Sequence, residues 1–203
     1  MNNDLSDLTD LFSKQEEEGE EIEFSSRPEL LLHPNLPKPL HNLAPRTVKG
    51  KVWWDIERRK AYAKHNYHCM ACGVFAPYNI VKQRFETKDR QLDAHEHYDI
   101  DYSNCTAELV EIVALCHLCH SYIHSGRVNA LFSKGVIDEE DCWYVFTHGD
   151  SVLLDCGINP NIKTVDRNTY KGTWLQWRLI LEGEKYKSKF GSFDEWRRYY
   201  KCR

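Results

Sequence analysis

Residues 115–124 read LCHLCHSYIH, and this stretch predicts a metal site. Its CHLC segment at 116–119 is a C-x-x-C knuckle, which is half of a tetrahedral zinc site. Together with His120 it also fits the C-x-x-C-H pattern that attaches c-type haem. His120 and His124 are one helical turn apart, so on a helix they share a face and could hold a catalytic ion. The stretch therefore leaves three kinds of metal chemistry open.

A second knuckle, CMAC at 69–72, favours zinc. Two C-x-x-C pairs supply four thiolates, and this set of soft sulfur ligands suits Zn²⁺. Gly73 follows the first pair and permits the sharp turn that a knuckle needs. We expect a closed structural zinc site, whose ligands are Cys69, Cys72, Cys116 and Cys119. The remaining cysteines, Cys105, Cys142, Cys156 and Cys202, fit better as free thiols.

Composition indicates a globular protein. The chain has 203 residues, of which 41% are hydrophobic, which is enough to form a core. The opening MNNDLSDLTDLF lacks the basic and apolar regions of a secretory signal, and no apolar run approaches the ~18 residues of a membrane span. We expect a cytoplasmic protein without membrane contact. Covalent haem, which is attached after export, ranks below zinc for this reason.

Negative charge is concentrated in the first 24 residues of the chain. Residues 1–24 carry nine acids against Lys14, a net charge of −8, so the remaining residues carry +4 within the total of −4. Five prolines follow before residue 46 and interrupt any long helix. We interpret 1–45 as a disordered tail or a wrapping arm that could shield a basic cleft or bind a protein partner. Its removal is expected to leave the fold intact.

The hydrophobic periodicity predicts alternating helices and strands rather than one class. Helices are predicted over 51–65, 116–135 and 138–156, and strands over 92–101 and 109–115. Two further strands flank Glu182-Gly183-Glu184, and the capping box at 192–195 opens a terminal helix. The pattern indicates an α+β fold.

Three segments together resemble the HNH endonuclease superfamily, the ββα-metal nucleases, in its zinc-bearing form. They are CMACG at 69–73, LDAHEHYDID at 92–101 and ALCHLCHSYIHSG at 114–126, and the resemblance spans about 53–127. It implies an α+β fold with a ββα-metal core, which we place at 46–130, and the residue pattern adds a helical and hairpin extension at 131–203. It also implies a Mg²⁺- or Mn²⁺-dependent endonuclease, acting on DNA in preference to RNA.

The resemblance assigns roles by position. His95 corresponds to the first member of the family's His-His or Asp-His strand pair, and His120 and His124 correspond to the helical ligands of the catalytic ion. The second member of the pair is Glu96 here, which is similar to a subgroup of small bacterial and phage HNH-like proteins. The residue that orients the general base, an asparagine in the family, falls near Glu111.

The identity of the general base stays open between two neighbours. His97 serves if the strand bulges by one residue, and Glu96 serves if it does not. Because an imidazole titrates near neutral pH, His97 is narrowly favoured. Phosphates would be contacted by basic side chains, namely Arg58, Arg59, Lys82, Arg84 and Arg127. The alternative function is a zinc-stabilised module that keeps the scaffold and binds nucleic acid or a protein without cutting.

Overall fold

The computed structural model of the chain describes residues 25–82, 84–87, 91–162 and 172–201. The α-helices in these ranges are α1 (Pro45–Val48), α2 (Lys51–Lys64), α3 (His117–Ile123), α4 (Ser125–Ser133), α5 (Glu139–Asp155) and α6 (Phe193–Lys201). The strands are β1 (Tyr78–Asn79), β2 (Arg84–Phe85), β3 (Leu92–Asp101), β4 (Thr106–Cys116), β5 (Arg178–Leu181) and β6 (Glu184–Lys187). The predicted α+β class is confirmed. The acidic run at 1–24 and Cys202 lie outside the described residues.

A long hairpin of β3 and β4 forms the centre of the fold. The two strands pair antiparallel, with Leu92 opposite Cys116 and His95 opposite Val113. Their pairing is regular from residue 92 to His97 and shifts only between His97 and Tyr98. β4 also pairs in parallel with β5, and β6 closes the sheet in the order β3-β4-β5-β6. β3 is therefore an edge strand of this sheet.

Helix α3 follows β4 without a linker. The backbone N–H of Cys119 donates to Cys116 Sγ over 3.5 Å, so the knuckle itself caps the helix. The chain leaves helical geometry at His124 (φ −89°, ψ 40°), and α4 starts at the next residue. The prediction of a single helix over 116–135 is therefore wrong, because the helix is interrupted at His124. The side chain of Asn35 binds the carbonyl oxygen of Ile123 at this break, a tertiary contact that periodicity does not reveal.

Residues 25–45 lie against the core, which favours the wrapping arm over the disordered tail for this part of the expected 1–45 segment. Two 3-10 turns, Pro28–Leu32 and Lys38–Leu40, replace regular helix where prolines interrupt it. Leu30 and Leu31 belong to the hydrophobic cluster around the knuckles and α3, whereas Leu40 belongs to a second cluster around β5. All three side chains are at most 3% exposed.

Two truncations should distinguish the contribution of the arm to stability from that of the acidic run. Deleting residues 1–45 removes three buried leucines, each stabilising by about 1.5–3 kcal/mol, and this sum is comparable with the whole stability of a domain. We expect that chain to unfold at much lower urea, in contrast to the intact fold expected from composition. Deleting only 1–24, which carries the −8 charge, should leave the urea midpoint nearly unchanged. Equal midpoints for both truncations would contradict the packing role of the arm.

Helix α5, in the predicted extension at 131–203, packs closely on α3. In α5, a Cβ atom at Gly149 would lie 2.1 Å from the ring of Tyr122 in α3, so the two helices meet where only glycine fits. The hydroxyl of Tyr122 donates to Asp150 over 2.7 Å. These contacts fix the face of α3 that carries the predicted ligands. No helix in the described ranges is long and apolar enough to cross a membrane.

Candidate metal centres

The four predicted cysteine ligands meet where the two knuckles face each other. The Sγ atoms of Cys69, Cys72, Cys116 and Cys119 all lie within 4.8 Å of one another. Cys72 Sγ is 3.7 Å from Cys116 Sγ. Four sulfurs at about 2.3 Å from one Zn²⁺ would be about 3.8 Å apart, so this spacing fits a tetrahedral shell. The cluster could bind a structural metal such as zinc.

The protonation of these thiols is interdependent. Hydrogen bonds from Cys116 and Cys119 lower the pKa of Cys69 and lower the pKa of Cys72 still further. The pKa of Cys119 is raised, chiefly by its hydrogen bond to Cys116. Four thiolates at this separation repel one another strongly, and a bound cation would offset that repulsion.

His148 of α5 extends the surroundings of the cysteine cluster. Its Nε2 atom lies 3.4 Å from Cys119 Sγ. A hydrogen bond to Cys72 raises the pKa of His148, which favours the imidazole as a donor to sulfur. Donors of this kind orient metal ligands and adjust their basicity. No spacing rule points to His148, because it reaches the cluster only through the packing of α5 on α3.

A second cluster brings together the three predicted histidines. The ring centroid of His95 on β3 lies 5.5 Å from that of His120 and 5.2 Å from that of His124. The two helical rings are 4.7 Å apart, and one nitrogen from each of the three residues lies within 4.8 Å of the others. The hairpin and the helix therefore supply three ligands that can face one ion.

Two of the three histidines, His95 and His124, are held in the neutral form that binds metals. Burial lowers the pKa of His95 to about 2, and the charges of His124 and His120 add to the effect. Burial also lowers the pKa of His124 to about 4. Both ring nitrogens of His95 are buried and have no hydrogen-bond partner among the described residues. An unmatched buried polar group costs about 1–3 kcal/mol, so a cation that accepts imidazole ligands fits this cavity chemically.

Asp93 orients His120. Its Oδ2 atom lies 3.3 Å from His120 Nδ1 and 3.2 Å from Nδ1 of the exposed His117. Burial alone would raise the pKa of Asp93, but the hydrogen bonds from His117 and His120 lower it well below its usual range. An ionised carboxylate only accepts, so Nδ1 of His120 carries the proton and Nε2 keeps a lone pair for a metal.

His97 lies on the same side of β3 as His95. The ring of His33 contacts both, with centroid distances of 5.9 Å to His95 and 4.6 Å to His97. His97 Nδ1 is 3.1 Å from Glu111 Oε1. Burial opposes ionisation of Glu111, but hydrogen bonds from Arg27 and His97 lower its pKa below the usual value. Glu111 therefore accepts a hydrogen bond from the Nδ1–H group of His97. The lone pair on Nε2 of His97 then remains available.

The bulge that was the condition for His97 to serve as the base does not occur between His95 and His97, because the register shifts only after His97. Residues two apart on a regular strand share a face, and the pairing is regular up to His97. The same alternation directs Glu96 to the opposite face. Burial raises the pKa of Glu96, and the charge of His120 offsets this only in part. Strand alternation and the contacts of His33 place His97 on the side of His95, while the charge of His120 also acts on Glu96.

The five predicted phosphate contacts differ in their availability. Arg58 donates to Asp55 over 2.8 Å and is half-buried, as is Arg59. The exposed members of the set are Lys82, Arg84 and Arg127. Of the five, Arg127 acts electrostatically on the histidine cluster, since its charge helps to lower the pKa of His124. It is the best placed of the five to meet a ligand bound there.

The fold and its clusters define a mixed α+β chain with two sites able to hold a metal ion, one of four thiols and one of three imidazoles. Comparison with known proteins yields no matching family model, no matching curated protein and no matching solved structure. The function must therefore be argued from the residues of the two sites themselves.

Proposed function

We propose that this chain is a divalent-cation-dependent endonuclease of the HNH, or ββα-metal, type that hydrolyses phosphodiester bonds in DNA. The observation that carries the proposal is the buried His95, whose nitrogens have no hydrogen-bond partner among the described residues and one of which lies within 4.8 Å of a nitrogen of both His120 and His124. The order β3, β4, α3 supports a ββα-metal core with the histidine cluster between strand and helix. The four-cysteine cluster is assigned to structural zinc.

The residues divide the chemistry between binding and proton transfer. His95, His120 and His124 would hold a divalent cation, which supplies positive charge for the scissile phosphate and the leaving oxygen. Three imidazole donors suit Mn²⁺ and related transition ions better than Mg²⁺, which prefers oxygen ligands. We therefore expect higher activity with Mn²⁺ than with Mg²⁺.

His97 is assigned as the general base. Its Nδ1 proton is engaged by Glu111, so its Nε2 lone pair can take a proton from the attacking water. Glu111 occupies the position at which the family resemblance places an orienting asparagine, and its negative charge stabilises the imidazolium that forms. Arg127, exposed beside the cluster, would hold the phosphate backbone without reading sequence.

Cleavage by base variants tests this assignment. His97→Ala should lose about two to four orders of magnitude in rate, the usual contribution of a general base. Glu96→Gln should lose less than His97→Ala, because strand alternation places Glu96 on the face of β3 opposite to His95. The assay is nicking of supercoiled plasmid by zinc-loaded protein with Mn²⁺ or Mg²⁺, with single-stranded DNA and RNA in parallel. A larger loss for Glu96→Gln than for His97→Ala would reverse the assignment of the base.

The same assay decides between the nuclease and the binding module. Pure, zinc-loaded protein that cuts none of these substrates with either ion would remove the nuclease proposal. The scaffold would then be assigned to binding of nucleic acid or of a protein partner without cleavage.

A further inference from the structure

Residues 25–36 of the arm contact two parts of the candidate site, the histidine cluster and the His97–Glu111 pair, although they are far from both in sequence. Asn35 contacts His124 across 89 residues, and Arg27 contacts Glu111 across 84. His33, between them, presses its ring against His95 and His97. No residue pattern in the arm predicts these contacts, because none of the three residues belongs to a motif.

The contacts of Asn35 determine which nitrogen of His124 carries the proton. Asn35 Nδ2 lies 3.2 Å from the carbonyl oxygen of Ile123, which can only accept, so the amide NH₂ must face it. The amide oxygen of Asn35 consequently faces His124 Nδ1, at 2.9 Å. An oxygen acceptor there requires the proton on Nδ1, and Nε2 keeps its lone pair.

Arg27 acts in the same way on the other half of the site. Its guanidinium donates to Glu111 Oε1, the same oxygen that His97 Nδ1 contacts. The backbone N–H of Arg27 donates to the carbonyl of Met70, beside the first knuckle, so its position is fixed independently of Glu111. The arm thus sets the direction of the carboxylate that holds His97.

The arm is itself firmly attached to the core. Leu30 and Leu31 are buried between Arg27 and Asn35, at 2% and 3% exposure. His33 Nε2 lies 2.7 Å from the carbonyl oxygen of Tyr98 on the edge strand β3. A segment anchored at both ends in this way can position side chains with the precision that an outer set of metal partners needs.

We propose that Asn35 and Arg27 are positioning residues of the site: Asn35 presents His124 Nε2 to the divalent cation, and Arg27 holds Glu111 against His97. This inference rests on the proposed function and deepens it. It makes the arm part of the site rather than a cover for it. The role of Asn35 concerns cation binding alone, and the role of Arg27 concerns the reaction alone.

Asn35 offers a substitution pair that separates positioning from simple attachment of the arm. Asn35→Leu removes both hydrogen bonds at similar size. Asn35→Asp keeps an acceptor for His124 but loses the donor to Ile123 and places an oxygen against that carbonyl. If Asn35 only attaches the arm to the core, both variants should bind the cation with the same affinity. If it selects the proton position of His124, only Asn35→Leu should weaken cation binding.

The experiment is titration of zinc-loaded, full-length protein with Mn²⁺ in a calorimeter, without nucleic acid. We expect Asn35→Leu to weaken Mn²⁺ binding by about 10- to 100-fold, the usual effect of removing an outer partner of a metal-bound histidine. Asn35→Asp should stay within about threefold of the parent, and zinc content should be unchanged in both. Equal weakening in both variants, or none in either, would overturn the role of Asn35.

Arg27→Met tests the role of Arg27, because it should change the rate of plasmid nicking but not the affinity for Mn²⁺. We expect Mn²⁺ affinity within about twofold of the parent and plasmid nicking slower by about tenfold or more, with partial recovery in Arg27→Lys. Weakened Mn²⁺ binding in Arg27→Met, or an unchanged nicking rate, would overturn this role. A parent chain that binds Mn²⁺ but cuts nothing would defeat the proposed function while the Asn35 comparison still decides on the cation site. A parent that binds no Mn²⁺ would defeat both.

Discussion

His95→Ala is expected to abolish DNA cleavage while leaving the fold and the zinc in place. His95 is the buried member of the three-imidazole cluster, at 4% exposure, and the only one that comes from the hairpin. Without it, His120 of α3 and His124 at the end of that helix would offer the ion only two imidazole ligands. The loss should exceed about a hundredfold in nicking rate, since removing a direct ligand costs more than removing an outer partner. Plasmid nicking with Mn²⁺ measures it.

The control for this experiment is a histidine outside the site. His41→Gln is matched, because His41 Nε2 lies 2.9 Å from the Leu36 carbonyl and a glutamine amide can donate to the same oxygen. It should cut at the parental rate. His124→Ala should repeat the effect of His95→Ala. His95→Ala protein that cuts as fast as the parent would contradict the assignment of the cation site.

The second large effect is expected at the cysteine cluster. Cys116→Ser should lose tightly bound zinc and unfold the middle of the chain, because Cys116 is both a predicted zinc ligand and the N-cap of α3. Structural zinc supplies an apparent free energy of about 10–16 kcal/mol in small zinc domains, which is as large as the stability of most domains. Elemental analysis should give close to one zinc per parent chain, and the melting transition of the variant should shift or disappear.

Cys142→Ser is the matched control, since Cys142 is also half-buried but lies outside the cluster. Its zinc content and melting should equal those of the parent. Cys69→Ser should behave as Cys116→Ser does, because the two knuckles contribute equally to a four-thiolate shell. Zinc absent from the parent, or unchanged melting of Cys116→Ser, would exclude a structural zinc.

The hairpin and the ligand clusters were predictable because their signals are local. Alternation over LDAHEHYDID predicts a strand at 92–101, and β3 has these bounds. β4 is longer than predicted, at Thr106–Cys116 instead of 109–115, because antiparallel pairing with β3 extends it at both ends. The four cysteines were identifiable from two spacings of fixed geometry. Such features depend on neighbours within a few residues, which a sequence displays directly.

The partners of the histidines were not predictable, because they depend on register and tertiary contact. Glu111 lies opposite His97 only because β3 and β4 pair as they do. Asp93 reaches His120 through the packing of α3 on β3. The arm escaped detection for a different reason, since its apolar residues follow no helical or strand period. Buried 3-10 turns between prolines resemble a disordered linker in composition.

The long separation between Asn35 and His124 has a consequence during translation. A chain emerges N-terminus first, so the arm, the first knuckle and β3 leave the ribosome before α3 exists. Loop closure over 89 residues then costs only slightly more entropy than over half that length, so the delay is set by synthesis rather than by the search. A nascent or prematurely ended chain that stops before His124 lacks at least one of the three imidazoles of the histidine cluster. Products that end before His124 would therefore lack part of the proposed cation site.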